Sequence, residues 1–143
     1  MQQVSIAFIT YKGKILLLHR DNKPTITSPN KWGLIGDHVE SGETPEQGLA
    51  REAKEEINLD VKNYSLLLHI FLDREDGKVE YFYYHIPVEE TNLSEIKLQE
   101  EGQAIKFKTW DEMKKLDLTV SLTKFLSNEE SVTKLRNILS NES

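Results

Sequence analysis

Along most of the chain, apolar positions alternate with polar ones or gather in short runs. Gln3 to Thr10 (QVSIAFIT) and Lys14 to His19 (KILLLH) read as two strands joined by a turn at Tyr11-Lys12-Gly13. Asp21 to Lys31 is polar and holds Pro24, Pro29 and Asn30, so it reads as a loop. Trp32 to Val39 returns the chain through a short strand and turn. From Thr44 the period changes. Thr44 can cap a helix, Pro45 suits its first position, and Gln47 stands where a capping box places Glu or Gln. At roughly 100° per residue, Leu49, Ala50, Ala53 and Ile57 share one face, and Asn58 follows as a left-handed terminator. Tyr64 to Leu72 and Lys78 to Val88 form a hairpin closed by Asp73-Arg74-Glu75-Asp76-Gly77. Within it, Tyr81-Phe82-Tyr83-Tyr84 should send two aromatics inward and two outward. Glu89 to Gly102 is acidic and aperiodic, a long loop. A strand at Ala104 to Thr109, a short helix opening at Trp110, and helices at Val120 to Leu126 and Glu129 to Leu139 complete the chain. The order predicts an α/β (α+β) fold, a mixed β-sheet sandwiched between helices.

The central helix carries the first chemical signal. Glu52, Glu55 and Glu56 occupy an arc about 100° wide beside the apolar face. A solvated acidic face usually alternates sign at i,i+4. Here Glu56 follows Glu52 by one such step, and Leu59 and Asp60 follow Glu55 and Glu56. Each close like-charge pair costs about 0.2–0.5 kcal/mol. Such a local conflict is expected at a functional site, and hard carboxylate oxygens suit Mg²⁺, held together with substrate phosphates. A plain solvated face and a metal site are both open at this point.

Length and composition narrow the partners. At 143 residues the chain is expected to form one domain, 1–143, with room for a sizeable core. No apolar run is long enough to cross a bilayer and no signal-peptide pattern opens the chain, so a cytoplasmic location with no membrane partner is expected. With no cysteine there is no thiol nucleophile, disulfide or zinc-thiolate site. A net charge of −6 argues against long nucleic acid, but a metal can supply local positive charge for a small polyphosphate. Several side chains have both a structural and a functional reading. Arg20 is a strand-end charge or a phosphate or base contact. Trp32 is packing or a ligand platform, with packing favoured. His38 is a polar turn residue or a general base. His69 and His85 belong to the hairpin.

Gly36 to Leu59, GDHVESGETPEQGLAREAKEEINL, resembles the Nudix box of the Nudix hydrolase superfamily (MutT-like proteins). Glu43 is followed by seven residues and then Arg51-Glu52-Ala53-Lys54-Glu55-Glu56-Ile57-Asn58-Leu59, which is the box's spacing. LLLHR and KWGLIG before it and EEGQAIKFKTWDEM after it resemble the usual surroundings. Three positions depart from the pattern: Asp37 where the box begins with Gly, Asn58 for the closing Gly, and Ile35 where Pro is frequent. Asp37 would need left-handed geometry and would put a carboxylate by the phosphate site.

The resemblance implies a Nudix fold and Mg²⁺-dependent hydrolysis (Mn²⁺ as a substitute) of a nucleoside diphosphate linked to another moiety. A nucleoside triphosphate or modified nucleotide is the leading substrate. It implies metal ligation by Glu52, Glu55, Glu56, the Gly36 carbonyl and Glu101, with Glu100 as the fallback for Glu101. Glu43 and Arg51 would support those ligands, and Arg20 would meet substrate phosphate or base. Glu56, Glu52 or Glu101 would be the catalytic base. Relatives that sanitise oxidised guanine nucleotides often use a late Asn, but Leu116 to Thr123 offers only Thr119, Ser121 and Thr123. Sugar nucleotides, dinucleoside polyphosphates and a non-catalytic nucleotide-binding or regulatory module are the alternatives, and a homodimer is an expectation by analogy.

Overall fold

A computed structural model describes residues 1–74 and 77–143. Strand β1 (Gln2–Tyr11) turns through Lys12 and Gly13, both with positive φ, into β2 (Lys14–His19). That two-residue turn matches the twist of the strands it joins. After the Asp21 to Lys31 loop come β3 (Trp32–Gly33) and β4 (Ile35–His38). Helix α1 (Pro45–Ile57) follows, then β5 (Ser65–Arg74) and β6 (Gly77–Pro87). Next are α2 (Glu90–Leu93), β7 (Ala104–Lys108), α3 (Trp110–Lys114), α4 (Val120–Leu126) and α5 (Glu129–Glu142). The sheet runs β3-β2-β1-β6-β5, with β4 also on β1 and β7 also on β2. β1 and β6 are parallel and the other pairs antiparallel, so the sheet is mixed as expected.

Alternation in β1 divides the core. Val4, Ile6 and Phe8 face α3, α4 and α5 through Met113, Phe125 and Leu135. Ala7 and Ile9 face α1 through Leu49, Ala53 and Ile57. Burial on both faces corrects the reading of the aromatic run. Tyr81 and Tyr83 enter the first cluster and Tyr84 the second, while Phe82 stays half-buried against it. A strand between two neighbours with helices above and below has no fully wet face, so three aromatics are inside rather than two. The expected hairpin closure falls partly on Glu75 and Asp76, which lie outside the described residues. The acidic stretch after β6 is not wholly aperiodic: α2 forms inside it, capped by the Asn92 side chain on the Glu89 N–H.

His85 is buried in the sheet, as a hairpin residue. Its Nε2 meets Thr10 Oγ1 at 2.7 Å, and that hydroxyl donates to Glu142 of α5 at 2.6 Å. Burial holds the imidazole below its usual 6.5, against an upward pull from Glu142. The unfolded chain therefore takes up a proton near 6.5 while the folded one does not. Stability from this site is complete above that value and falls as pH drops toward the folded pKa. The melting temperatures of the wild type and His85→Gln are expected to converge between about pH 7.5 and 5, which paired thermal scans would read.

Candidate metal and phosphate site

The local sequence builds the site around α1. Thr44 Oγ1 accepts from the Gln47 N–H at 3.1 Å and the Gln47 side chain accepts from the Thr44 N–H at 2.9 Å, the expected capping box. Thr44→Ala should therefore cost about 1 kcal/mol, a melting shift of roughly 3 °C. At the other end Asn58 sits at φ 59°, and its N–H returns to Ala53 and Lys54. Its side-chain amide also donates to the Glu95 carbonyl at 3.1 Å, a contact glycine could not make. That tie helps bring the loop after α2 back over the helix, where the Gln99 N–H donates to the Glu56 carbonyl at 3.0 Å.

Arg51 is the hub of the carboxylates. Its Nε and Nη2 donate to Glu43 at 2.8 and 3.1 Å, and Nη1 donates to Glu52 at 3.0 Å and Glu55 at 3.2 Å. Nη2 also donates to the His38 carbonyl at 3.0 Å. The bond to Arg51 and the Glu40 N–H hold the Glu43 carboxyl below the usual range, and Glu43, then Glu52, drives the guanidinium further above its own. Part of the like charge crowded on α1 thus has its compensation within the helix. Arg51, four residues before Glu55, supplies it for Glu52 and Glu55.

Glu56 differs from its neighbours, since among the described residues no lysine or arginine forms an ion pair with it. Its side chain accepts the Gly36 N–H at 2.8 Å. Burial pushes its carboxyl up to about 9, partly offset by that N–H, with the charges of Glu52 and Asp37 adding to the rise. Burial also raises Glu52, again with Asp37 contributing after the opposing pull of Arg51. Gly36 reaches Glu56 because β4 pairs closely with β1. Its φ is +118°, and a Cβ there would overlap the Ser5 carbonyl oxygen. Asp37, by contrast, is an ordinary extended residue of β4 paired with Ser5, so the left-handed geometry expected of it is not needed. Ile35 is fully buried opposite Ala7.

Five of the expected residues, from four parts of the chain, meet in one place. Glu52, Glu56 and Glu101 line a cavity of about 150 Å³ with Gly36, Arg20 and Asp37. Glu55 lines an adjoining cavity of about 380 Å³, together with Glu52, Glu56, Glu100 and Glu101. Glu43 stands behind them on Arg51. As placed, no three His, Asp or Glu side chains among the described residues form a ready metal cluster. The donor chemistry nevertheless fits a hard divalent ion: Asp37, Glu52, Glu56 and Glu101 bring carboxylates to a cavity that Arg20 and Lys23 also line, and among the described residues no lysine or arginine pairs with the buried Glu56.

Arg20, Gly36 and Asp37 also border a cleft of about 280 Å³ that continues past Leu34, Tyr81 and Thr119. Arg20 donates through Nε to the Thr27 carbonyl at 3.0 Å, which holds its guanidinium at the junction of cleft and cavity. His38 is a strand residue rather than a turn residue. Its ring lies on the cleft wall, 3.7 Å from Asp37. Trp32 is packing, stacked on His19 at 4.5 Å between ring centres. Of the three late hydroxyls, Thr119 and Ser121 line the cleft, while Thr123 donates to the Thr119 carbonyl. Gly33 lets Thr119 come this close, since a Cβ there would stand 2.7 Å from Thr119 Cγ2.

Two positioning residues have no signal in the sequence that singles them out. The Gln103 amide donates to the Arg20 carbonyl at 2.7 Å and to Asn30 at 2.9 Å, and Asp21 accepts the Gly102 N–H at 3.2 Å. Together they tie the loop bearing Glu101 to the loop bearing Arg20. The Glu-Gly-Gln triplet marks the place, but its Gln has no visible partner in a linear reading.

Solved structures share this architecture. The solution structure of the E. coli ORF135 protein superposes with a TM-score of 0.74 at 23% identity, covering 95% of this chain and 91% of that one. The crystal structure of the MutT NUDIX hydrolase from Burkholderia pseudomallei gives 0.65 at 23% identity over 78% and 84%. The NUDIX domain of Shewanella oneidensis NrtR, solved with ADP ribose, gives 0.70 at 17% identity over 94% and 86%. Among the described residues no helix is long and apolar enough to cross a membrane. A model of the NUDIX domain matches residues 1–128, and with the box helix, its arginine hub and the mixed sheet in place, this chain belongs to the Nudix family.

Proposed function

We propose that the chain hydrolyses the diphosphate linkage of a nucleoside diphosphate joined to another moiety, with a nucleoside triphosphate or a modified nucleotide as the leading substrate. One observation carries the reading: Glu52, Glu56 and Glu101 line a single cavity with the Gly36 backbone, and that cavity adjoins a cleft bordered by Arg20. Glu52, Glu55, Glu56, Glu101 and the Gly36 carbonyl would hold Mg²⁺, with Mn²⁺ as a substitute. A bound divalent ion neutralises phosphate charge and lowers the pKa of a coordinated water.

The chain's own residues do the rest. Arg20 pairs with a phosphate oxygen as the substrate crosses from cleft to cavity. Arg51 fixes the rotamers of Glu52 and Glu55 through charge-assisted bonds, as supporting groups around metal ligands do. A carboxylate of the cavity (Glu56, Glu52 or Glu101) takes the proton from the attacking water. Thr119, Ser121 and the apolar wall at Leu34 and Tyr81 receive the remaining moiety.

A second reading rests on Asp37. Its half-exposed carboxylate borders both the cavity and the cleft and raises the cost of ionising Glu52 and Glu56. A module that binds a nucleotide without cleaving it, or one acting on sugar or dinucleoside nucleotides, would use the same cleft; ADP ribose in the NrtR domain is a ligand of that chemistry. Chromatography of the nucleotide products formed from nucleoside triphosphates, sugar nucleotides and dinucleoside polyphosphates, with and without Mg²⁺, separates these readings. Hydrolysis of at least one class only with the metal is expected. Turnover confined to an Asp37→Gly variant would make the natural chain a binder.

A further inference from the structure

The outer strand of the sheet is long and open. Among the described residues β5 pairs only with β6, which leaves its other edge without a strand. Natural edges are usually protected by lysine, proline or bulges, and a long apolar edge invites another strand. From Ser65 to Leu72 this one carries no aspartate, glutamate, lysine, arginine or proline. A register shift between Leu66 and Leu68 interrupts its first half, and the Ser131 hydroxyl donates to the Leu67 carbonyl there at 3.4 Å. Leu68 to Arg74 keeps one continuous register with β6.

The same segment is complementary to itself. Antiparallel pairing about a two-fold axis at Phe71 would set Phe71 opposite Phe71, Ile70 opposite Leu72, and His69 opposite Asp73. His69, Phe71 and Asp73 share the side of the sheet on which α1 lies, beyond that helix. Phe71 is 51% exposed, and His69 is stacked on Phe82 at 4.4 Å. Across the new pair each His69 ring would face an Asp73 carboxylate, a donor against an acceptor. Asp73 lies 4.0 Å from Lys78 on β6, and His69 lies 2.6 Å from Glu80. We propose that a second copy of this chain docks on the free edge of β5, antiparallel and centred on Phe71.

The chain has no cysteine, so a single introduced thiol reports the register. Directly opposed antiparallel residues stand about 4.5–5.5 Å apart at Cα, inside the range of about 4.4–6.8 Å that a disulfide spans. Phe71→Cys under mild oxidation should give a covalent dimer. Leu66→Cys, of similar exposure at 48%, should not, because its opposite residue differs. Sedimentation equilibrium across the micromolar range should show twice the chain mass for the wild type and the single mass for Phe71→Lys, with both melting cooperatively. A wild type that stays monomeric overturns the proposal. So does a Phe71→Lys chain that stays dimeric, or a covalent dimer formed by the Leu66→Cys chain but not by Phe71→Cys.

Discussion

Glu56→Gln is expected to cut Mg²⁺-dependent turnover by about 10²–10⁴-fold, the usual contribution of a positioned proton acceptor, while making the metal-free protein more stable. Both effects come from the same environment. The glutamine oxygen can still accept the Gly36 N–H that Glu56 accepts at 2.8 Å, so the local backbone has no reason to move. What disappears is a carboxyl whose pKa is raised from 4.5 to about 9 by burial and by the Glu52 and Asp37 charges. Between those values the unfolded chain is ionised while the folded, metal-free one keeps its proton. The site therefore loses stability as pH rises from 4.5 through about 9, and the glutamine variant does not. At about pH 7.5 in chelator its melting temperature should exceed that of the wild type by at least about 3 °C, corresponding to roughly 1 kcal/mol. Adding Mg²⁺ should raise the wild type more than the variant, which keeps Glu52, Glu55 and Glu101 but lacks the Glu56 carboxylate. Near-normal turnover in Glu56→Gln would remove Glu56 from the mechanism. A lower metal-free melting temperature would contradict the electrostatic account of its burial.

Gly36→Ala should be the most damaging single methyl in the chain. Its backbone at φ +118° disfavours any side chain, and the added Cβ would overlap the Ser5 carbonyl and approach the Ile6 Cα at 2.8 Å. Both are backbone atoms of the central strand, so no side chain can rotate away; β4 must separate from β1. A loss of about 4 kcal/mol or more is expected, at the extreme end of single substitutions. The Gly36 N–H would also withdraw from Glu56, so activity should fall in whatever fraction remains folded. Gly42→Ala is the control. Gly42 also has positive φ, +88°, but nothing lies within 4 Å of where its Cβ would stand. That variant should lose only about 1–2 kcal/mol from backbone strain. Thermal melts of the two variants side by side would check the contrast; equal losses would mean that strain, rather than the β1–β4 contact, sets the requirement at Gly36.

Much of the architecture is legible in the linear chain because it rests on local rules. The capping box, the apolar stripe of α1 and the left-handed Asn58 all lie between Thr44 and Asn58, and each appears where its residues place it. The mixed sheet follows from the strand pattern in the same way. The misreadings have a common origin in distance along the chain. Whether Tyr84 is inside depends on α1, far earlier in the chain, reaching over β6. His38 reads as a turn residue in isolation because its pairing partner is Val4, on a remote strand.

The chain's own order of residues was enough to determine the helix carrying Glu52, Glu55 and Glu56, its two ends and the face it buries, because those depend on contacts three or four residues apart. Only the tertiary structure decided that Glu101 and Gly36 share a cavity with that helix, that Glu56 is buried beneath β4, and that among the described residues β5 ends the sheet with an open edge. Those facts depend on strand pairing and loop closure across tens of residues, where the free energy of one contact is set by everything packed around it.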